Sequence, residues 1–298
     1  MCKRLLYLIL LLSQFLSVNA ENFEEEALYH DFVEGNLCFT ILDKTAKEAE
    51  VSGTTLKVEQ EIKRNFALFD VSIPSSVSFK GETYNVTTVS NNAFRGCKNI
   101  LSLTVEGGVT YIGKSAFEDC DHLNNVYLAE GVAYVGDNAF AGCTALPAVH
   151  FPKTLAFVGK GAFSRCMNIK ALSFPSLVNE LDPSVFEGCA SLETITVEEG
   201  NQNMQSVDGV LYNKEQTTLI CCPEARNTAL IIPHTVSLVS WSFPSTCKLT
   251  CLSCSSEVPP VVTATAGGPA NISLFVPKRV VSAYEQDVFW SRFVIRPY

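Results

Sequence analysis

The stretch NNAFRGC at residues 91–97 decides the fold, because close copies of it follow at a constant interval. The copies are SAFEDC (115–120), NAFAGC (138–143), GAFSRC (161–166) and SVFEGC (184–189). The repeated phenylalanines are Phe94, Phe117, Phe140, Phe163 and Phe186, and each interval is 23 residues. The repeated cysteines Cys97, Cys120, Cys143, Cys166 and Cys189 keep the same spacing. A fixed period of about 20–50 residues is typical of a solenoid built from stacked turns.

The residues between the copies predict two short strands in each turn. Apolar residues follow each cysteine at regular offsets and end in an apolar-x-apolar triplet, which favours a strand with alternating faces. These triplets begin at Leu103, Val126, Val149, Leu172 and Ile195. A second short strand is predicted at 109–112, 132–135 and 155–158, each followed by a glycine that we expect to need a positive φ.

The residue two positions before each phenylalanine is of a type that starts helices. These residues are Asn92, Ser115, Asn138, Gly161 and Ser184. Their preference for helix N-termini predicts that each A-F-x-x-C stretch begins a short helical turn. The resulting fold class is a right-handed α/β solenoid that is rich in β-structure.

The repeated cysteines raise the question of chemistry or packing. In a solenoid they share one position on neighbouring turns, and their parallel side chains place the Cβ atoms about 4.8 Å apart. Disulfides need about 3.5–4.5 Å between Cβ atoms. We therefore predict that the cysteine and phenylalanine positions form a structural ladder of reduced, buried side chains.

These motifs resemble the BspA-like leucine-rich repeat family, which is known from surface and secreted proteins of anaerobic Gram-negative bacteria. The resemblance extends to the hairpin-bearing stretches 71–94 and 207–236, to a hairpin-like N-terminal cap at 31–53, and to a strand–helix cap at 272–295. It implies an N-terminal cap region at 21–70, a solenoid at 71–254 with a hairpin insertion at about 207–232, and a C-terminal cap at 255–298. Residues 54–70 fit no part of the pattern. The resemblance implies a binding or adhesion role and no catalysis.

The N-terminus has the features of a secretory signal peptide. Lys3 and Arg4 precede an apolar run from Leu5 to Val18, and small residues end at Ala20. The run is shorter than the roughly 20 residues of a spanning helix, so a membrane anchor is the weaker interpretation. The sequence predicts cleavage after Ala20 and a product that is periplasmic, secreted or displayed at the cell surface, with no membrane span after cleavage.

Charge and cysteine number limit the partners. The chain carries 22 Lys+Arg and 31 Asp+Glu, a formal charge of −9. Removing residues 1–20 takes away two positive charges, which leaves 20 against 31, or −11. Such a chain lacks the basic surface of a nucleic-acid-binding protein. Eleven of the 12 cysteines remain, an odd number that cannot all pair with one another.

A few residues invite a chemical interpretation. Cys251-x-x-Cys254, with Cys247 and the Cys221–Cys222 pair, has the spacing of a zinc or redox site, but the repeat places Cys254 and Cys247 in the core. A disulfide among Cys221, Cys222 and Cys251 stays open. The sequence contains no G-x-S-x-G, H-E-x-x-H or glycine-rich phosphate motif. It therefore predicts neither an enzyme nor a bound metal or cofactor.

The outward side of the triplet strands is the candidate binding site. The middle residues form one row, which we call the outer row: Thr104, Tyr127, His150, Ser173 and Thr196. A second row, the ring row, consists of Tyr111, Tyr134 and Phe157. The outer row is neutral and partly aromatic, which suits a protein or glycan ligand. Alternatively these residues only tile a sheet, where threonine and tyrosine pack well, and the protein is a structural component of a surface assembly. The oligomeric state is not predicted.

Overall fold

A computed structural model describes residues 30–54, 68–241, 243–244, 247–263 and 272–298. Within this part of the chain, the fold is a β-solenoid of about nine turns with a period of about 23 residues and little helix. The predicted signal peptide at 1–20 and most of the segment 54–70 lie outside the described residues. Each regular turn contributes one strand to a first sheet and, after a corner, a shorter strand to a second sheet.

The strands are short and numerous. In the first half of the chain they are β1 (Phe32–Glu34), β2 (Leu37–Asp43), β3 (Glu48–Thr54), β4 (Phe69–Ile73), β5 (Ser76–Phe79), β6 (Glu82–Val89), β7 (Ile100–Val105), β8 (Tyr111–Ile112), β9 (Asn125–Leu128), β10 (Tyr134–Val135) and β11 (Phe157–Val158). In the second half they are β12 (Ala171–Phe174), β13 (Thr194–Val197), β14 (Met204–Val207), β15 (Val210–Asn213), β16 (Thr218–Cys221), β17 (Leu230–Ile232), β18 (Leu238–Val239), β19 (Cys251–Cys254), β20 (Val261–Val262), β21 (Ser273–Val276) and β22 (Val294–Pro297). The helical segments among the described residues are α1 (Val281–Gln286) and 3₁₀ turns at Pro183–Phe186, Lys278–Val280 and Trp290–Arg292.

The sheets are assembled mainly from parallel pairs between successive turns. The first sheet contains the ladders β4-β7-β9, β12-β13 and β17-β19-β21-β22. The second contains β3-β6-β8-β10-β11 and, after the insertion, β16-β18-β20. Strand β2 pairs antiparallel with both β1 and β3, and these three strands cap the N-terminal end, where β3 pairs in parallel with β6. The cap is thus a three-stranded meander in place of the simple hairpin expected at 31–53.

The phenylalanine ladder forms the core between the sheets. Phe94, Phe117, Phe140 and Phe163 are fully buried, and their rings stack with centroid distances of 5.0–5.5 Å. The stack ends there. Phe186 instead meets Phe174 edge to face, because its turn is a 3₁₀ segment that starts at a proline.

The residues that were expected to cap helical turns lie in tight turns of a different kind. Asn92, Ser115, Asn138 and Gly161 adopt left-handed backbone conformations with φ between +53° and +65°. A helix N-cap residue has a φ in the extended region, so these residues do not cap helices. Each A-F-x-x-C stretch is a tight turn whose N–H groups bond to the next turn of the solenoid, as from Phe117 to Ala139 (2.7 Å). The helical turn forms only at Pro183–Phe186, where Asp182 is the cap.

The expected positive φ at the corner glycines is wrong as well. Gly113, Gly136 and Gly159 are not among the left-handed residues. A Cβ on Gly136 would lie 2.7 Å from the backbone nitrogen of Lys114 in the preceding turn. Glycine is therefore required by the close approach of two backbones and not by the dihedral angle.

The third regular turn lacks a full first-sheet strand. Pro147 and Pro152 bracket residues 148–151, and this segment contributes only an isolated bridge between Tyr127 and His150. Proline has no N–H to donate to a ladder. At the position equivalent to Pro147 in the preceding turn, the Asn124 N–H donates to the Leu101 carbonyl (3.0 Å).

The chain departs from the regular turns in the region where a hairpin insertion was predicted, at about 207–232. Strands β14, β15 and β16 form an antiparallel meander over residues 204–221, and β16 rejoins the second sheet beside β18. The Arg226 guanidinium, which is nearly buried, holds the hairpin turn by bonding to the carboxylate and carbonyl of Asp208. The turn lies against β13, where the Ile195 N–H donates to the Gly209 carbonyl (3.0 Å).

The C-terminal cap closes the far end of the core. Trp290 and Tyr284 are fully buried. The Trp290 indole N–H donates to the Pro260 carbonyl (2.8 Å), and the Tyr284 hydroxyl donates to the Ser256 carbonyl (3.1 Å). Both aromatic side chains thus satisfy their polar atoms while covering the last turn, as a solenoid cap must.

Candidate functional site

The structure places the repeated cysteines in the core with a defined hydrogen-bonding role. All five side chains are at most 2% exposed. The thiols of Cys120, Cys143, Cys166 and Cys189 each donate to a phenylalanine carbonyl of the preceding turn, at S···O distances of 3.1–3.3 Å. Those carbonyls already accept a backbone N–H, so the thiol satisfies a second lone pair.

Burial also keeps these thiols protonated. Removal from water raises the pKa of the Cys143 and Cys166 thiols and brings the pKa of Cys189 to about 12. A thiol reacts as the thiolate, so these groups are unreactive in the folded protein. The ladder is part of the packing.

The other cysteines among the described residues, Cys38 included, are free thiols too. Cys221, Cys222 and Cys254 are buried, while Cys247 and Cys251 are half-buried. Burial raises the pKa of Cys222 and Cys247, which lie near each other. Within the described residues, no group of three or more His, Cys, Asp or Glu side chains is arranged to hold a metal ion.

The outer row is brought together on the first sheet, but in separate pieces. Thr104 pairs with Tyr127, Tyr127 bridges to His150, and Ser173 pairs with Thr196. Thr104 is half-buried and the other four side chains are exposed. The described residues show no ladder pairing between His150 and Ser173, because of the prolines that flank residues 148–151.

Tyr127 is the prominent side chain of this row. It is 58% exposed. Its neighbours along the strand and across the ladder include no Asp, Glu, Lys or Arg. An exposed ring with a polar hydroxyl on a rigid, hydrogen-bonded strand offers contact area at little entropic cost, which is why tyrosine is enriched at interfaces.

The row is longer than the repeat motif indicated. At its N-terminal end Ser72 pairs with Thr104, and beside it the Asp70 carboxylate accepts a hydrogen bond from the Ser102 hydroxyl (2.5 Å). Beyond the insertion, a separate four-stranded ladder lines up Ile231, Ser253, Phe275 and Arg296 in register with one another. Ile231 is 68% exposed. Ile231 is the middle residue of the apolar triplet 230–232. The 23-residue spacing does not identify this triplet, because the insertion interrupts the period.

The ring row lies on the second sheet. Tyr111, Tyr134 and Phe157 stand in register on β8, β10 and β11. Their rings stack at centroid distances of 4.5 and 4.3 Å. Burial, with a further contribution from the neighbouring Tyr111, raises the pKa of the Tyr134 phenol. Two rows with aromatic residues therefore face solvent on different sheets.

The segment of the sequence that carries both rows matches a known repeat family. Residues 87–214 fit, in six copies, the sequence profile of the BspA type leucine-rich repeat region. This segment is a BspA-type leucine-rich repeat region. The matched residues include all of the outer row and all of the ring row, and the predicted resemblance is confirmed.

Solved structures show the same fold at low sequence identity. A leucine-rich repeat protein from Eubacterium ventriosum is 22% identical with a TM-score of 0.56, and the match covers 84% of this chain and 66% of that one. One from Bacteroides ovatus is 18% identical with a TM-score of 0.53, covering 82% and 71%. The pneumococcal vaccine antigen PcpA is 18% identical with a TM-score of 0.59, covering 84% and 82%.

No curated protein matched the sequence. Among the helices of the described residues, none combines the length and the hydrophobicity needed to span a bilayer.

Proposed function

We propose that this chain binds another macromolecule, a protein or a glycan, through the outer row, and that it does so outside the cytoplasm as a secreted or surface-displayed protein. The observation that carries the proposal is the exposed Tyr127 ring on a hydrogen-bonded strand, between Thr104 and His150. The predicted signal peptide at 1–20 supports export. The similarity in fold to a vaccine antigen is in keeping with display to a host.

The chemistry of the row suits reversible binding. Hydroxyls of Thr104, Ser173 and Thr196 can donate and accept hydrogen bonds, and the tyrosine ring contributes apolar area. Two separate ladders hold these side chains, one with Thr104 and Tyr127 and one with Ser173 and Thr196, which lowers the entropic cost of binding. None of these side chains is paired with a base or nucleophile in a catalytic geometry among the described residues. The proposed activity is therefore recognition without bond making or breaking.

The test is a binding measurement on the purified full chain. A panel of purified extracellular-matrix proteins and a glycan array identify a ligand, and surface plasmon resonance then compares wild type with the double substitution Tyr127→Ala and His150→Ala. We expect the double variant to bind at least about tenfold more weakly, as for an interface anchor. Tyr298→Ala is the matched control, since Tyr298 is 61% exposed and lies outside the row.

Two results would count against the proposal. A double variant that keeps its fold and binds the ligand as wild type does would move the site elsewhere. Concentration-dependent self-association that Tyr127→Ala abolishes, with no heterologous ligand found, would favour the structural component of a surface assembly.

A further inference from the structure

Four cysteines follow one another from the last regular turn into the turns beyond the insertion. Cys189, Cys221 and Cys222 are buried, and Cys247 is half-buried. Burial and the neighbouring Cys222 and Cys189 raise the pKa of the Cys221 thiol, and burial and Cys247 raise the pKa of the Cys222 thiol. Mutual effects of this kind arise between groups that lie close together.

The backbone fixes how Cys222 and Cys247 face each other. The Lys248 N–H donates to the Glu224 carbonyl (3.1 Å), and the two segments lead into the parallel strands β17 and β19, so they run side by side in the same direction. Cys247 is thus opposite Pro223, and Cys222 is one residue from direct opposition. With about 4.8 Å between neighbouring segments and about 3.3 Å per residue, the two cysteine Cα atoms are about 6 Å apart. Disulfides span about 4.4–6.8 Å between Cα atoms.

Cys222 differs from the ladder cysteines in how its thiol is held. The thiols of Cys166 and Cys189 each donate to a phenylalanine carbonyl of the preceding turn, at 3.2 and 3.1 Å. Among the described residues, the hydrogen-bond acceptor of the Cys222 thiol is the carbonyl of its own neighbour Pro223, at a long 3.9 Å. Rotation of the Cys222 side chain toward Cys247 therefore breaks no hydrogen bond to another turn.

We propose that Cys222 and Cys247 form a reversible disulfide that clamps the turns beyond the insertion to the end of the hairpin meander. The bridge closes a loop that contains β17 and β18. Cys221 is the adjacent residue, and neighbouring side chains of an extended segment point to opposite faces. Disulfides persist in oxidising compartments, in keeping with the export proposed for this chain, but the bridge itself requires only an external disulfide.

The bridge forms by two steps of thiol–disulfide exchange with an external disulfide RSSR, such as oxidised glutathione. Cys247 is the more exposed thiol, so its thiolate attacks one sulfur of RSSR, which gives a mixed disulfide and releases RS⁻. The Cys222 thiolate then attacks the Cys247 sulfur and releases the second RS⁻. The two thiol protons pass to the two RS⁻ ions, so the protein loses two electrons and RSSR becomes two RSH.

The rate of this exchange depends on pH. Burial raises the pKa of both the Cys222 and the Cys247 thiol. Since the thiolate is the reacting form, we expect slow exchange at neutral pH and faster exchange as the pH rises.

The experiment oxidises the purified, fully reduced full chain with oxidised glutathione in the absence of denaturant, at a pH of about 8.5 where thiolate is available. Remaining thiols are alkylated with iodoacetamide, and the tryptic peptides are mapped by mass spectrometry. Cleavage after Lys214, Arg226 and Lys248 means that the bridge joins peptides 215–226 and 227–248. We expect this linked pair in the oxidised wild type and its separation by dithiothreitol.

Matched variants identify the partner and its effect on stability. Cys221→Ala should still give the linked pair, whereas Cys222→Ala should not. Positions 222 and 247 are 25 residues apart. A bridge over such a loop constrains the unfolded chain, so oxidation should lower the unfolded population of the wild type about a hundredfold at a given urea concentration. Oxidation should leave the urea midpoint of Cys222→Ala unchanged.

Urea unfolding of the reduced variants verifies that they are folded, and the wild-type peptide map decides independently of them. The proposal is overturned if Cys222 and Cys247 are both alkylated after oxidation of the folded wild type. It is also overturned if Cys222→Ala still gives the linked pair through Cys221, or if Cys247 is recovered only as a glutathione adduct or in a disulfide between two chains.

Discussion

At the residue scale, the corner glycines show how a single missing carbon permits the stacking of turns. A Cβ on Gly136 would lie 2.7 Å from the Lys114 nitrogen and 2.8 Å from the Gly113 carbonyl carbon. Both neighbours are backbone, so neither can rotate away. Gly107 offers a contrast, because its nearest neighbour, the Glu130 carbonyl oxygen, would be 3.7 Å from an added Cβ.

We predict that Gly136→Ala destabilises the protein by about 1–3 kcal/mol, as other overpacking substitutions do. The matched control Gly107→Ala should be within about 1 kcal/mol of wild type, since the added methyl group fits and restricts the unfolded chain. Urea unfolding monitored by circular dichroism measures both. Equal stability of the two variants would show that the turns can separate at the corner without cost.

At the element scale, the cysteine ladder couples stability to pH. An unfolded thiol has a pKa of about 8.5, whereas burial places the pKa of Cys143 well above its ordinary value. Above pH of about 8.5 the unfolded chain releases a proton that the folded chain keeps. The stabilisation is complete below that pH and decreases as the pH rises toward the folded-state pKa.

We therefore predict that Cys143→Ala reduces the alkaline loss of stability by about 1.4 kcal/mol per pH unit above pH 9. The measurement is the free energy of unfolding in urea at several values between pH 8 and 11, for wild type and variant. Leu146→Ala is the control, because it removes a buried side chain of the same turn that does not titrate. Curves for Cys143→Ala and wild type that stay parallel would contradict the assignment.

At the scale of the whole molecule, the insertion divides the solenoid into two blocks that must remain in contact. In the regular turns, the backbone N–H two residues after the repeated phenylalanine donates to a backbone carbonyl of the next turn, as the Arg165 N–H does to the Glu187 carbonyl (2.7 Å). At the insertion the corresponding N–H of Gly188 donates to the side chain of Glu224 (3.0 Å), which is 8% exposed. The backbone of Glu224 also accepts from Lys248 (3.1 Å), so this residue links the two blocks.

We predict that Glu224→Ala lowers the stability by about 1–3 kcal/mol, because the half-buried Gly188 N–H loses its acceptor. With the link weakened, the single urea transition should broaden or separate into two, as expected when neighbouring units of a repeat protein uncouple. Glu224→Gln keeps an acceptor oxygen and should be closer to wild type. If the alanine and glutamine variants unfold alike and with one sharp transition, Glu224 does not couple the blocks.

The repeat alone was sufficient to predict the solenoid, its period and its buried ladder positions. Residues 23 apart occupy equivalent sites on stacked turns, so a conserved spacing within one chain already specifies which side chains share an environment. The outward positions of Tyr127 and His150 followed from strand alternation, and the hairpin insertion and caps from resemblance. These features depend on order along the chain.

The tertiary structure decided everything that depends on contact between different turns. The left-handed Ser115, the crowded Gly136 and the missing strand at 148–151 each arise from what the neighbouring turn presents. The exposed Ile231 was likewise not reached by the 23-residue spacing, because the insertion interrupts that count. A repeat specifies equivalent positions along the chain, but only the stacked turns determine which backbones meet and which side chains stay uncovered.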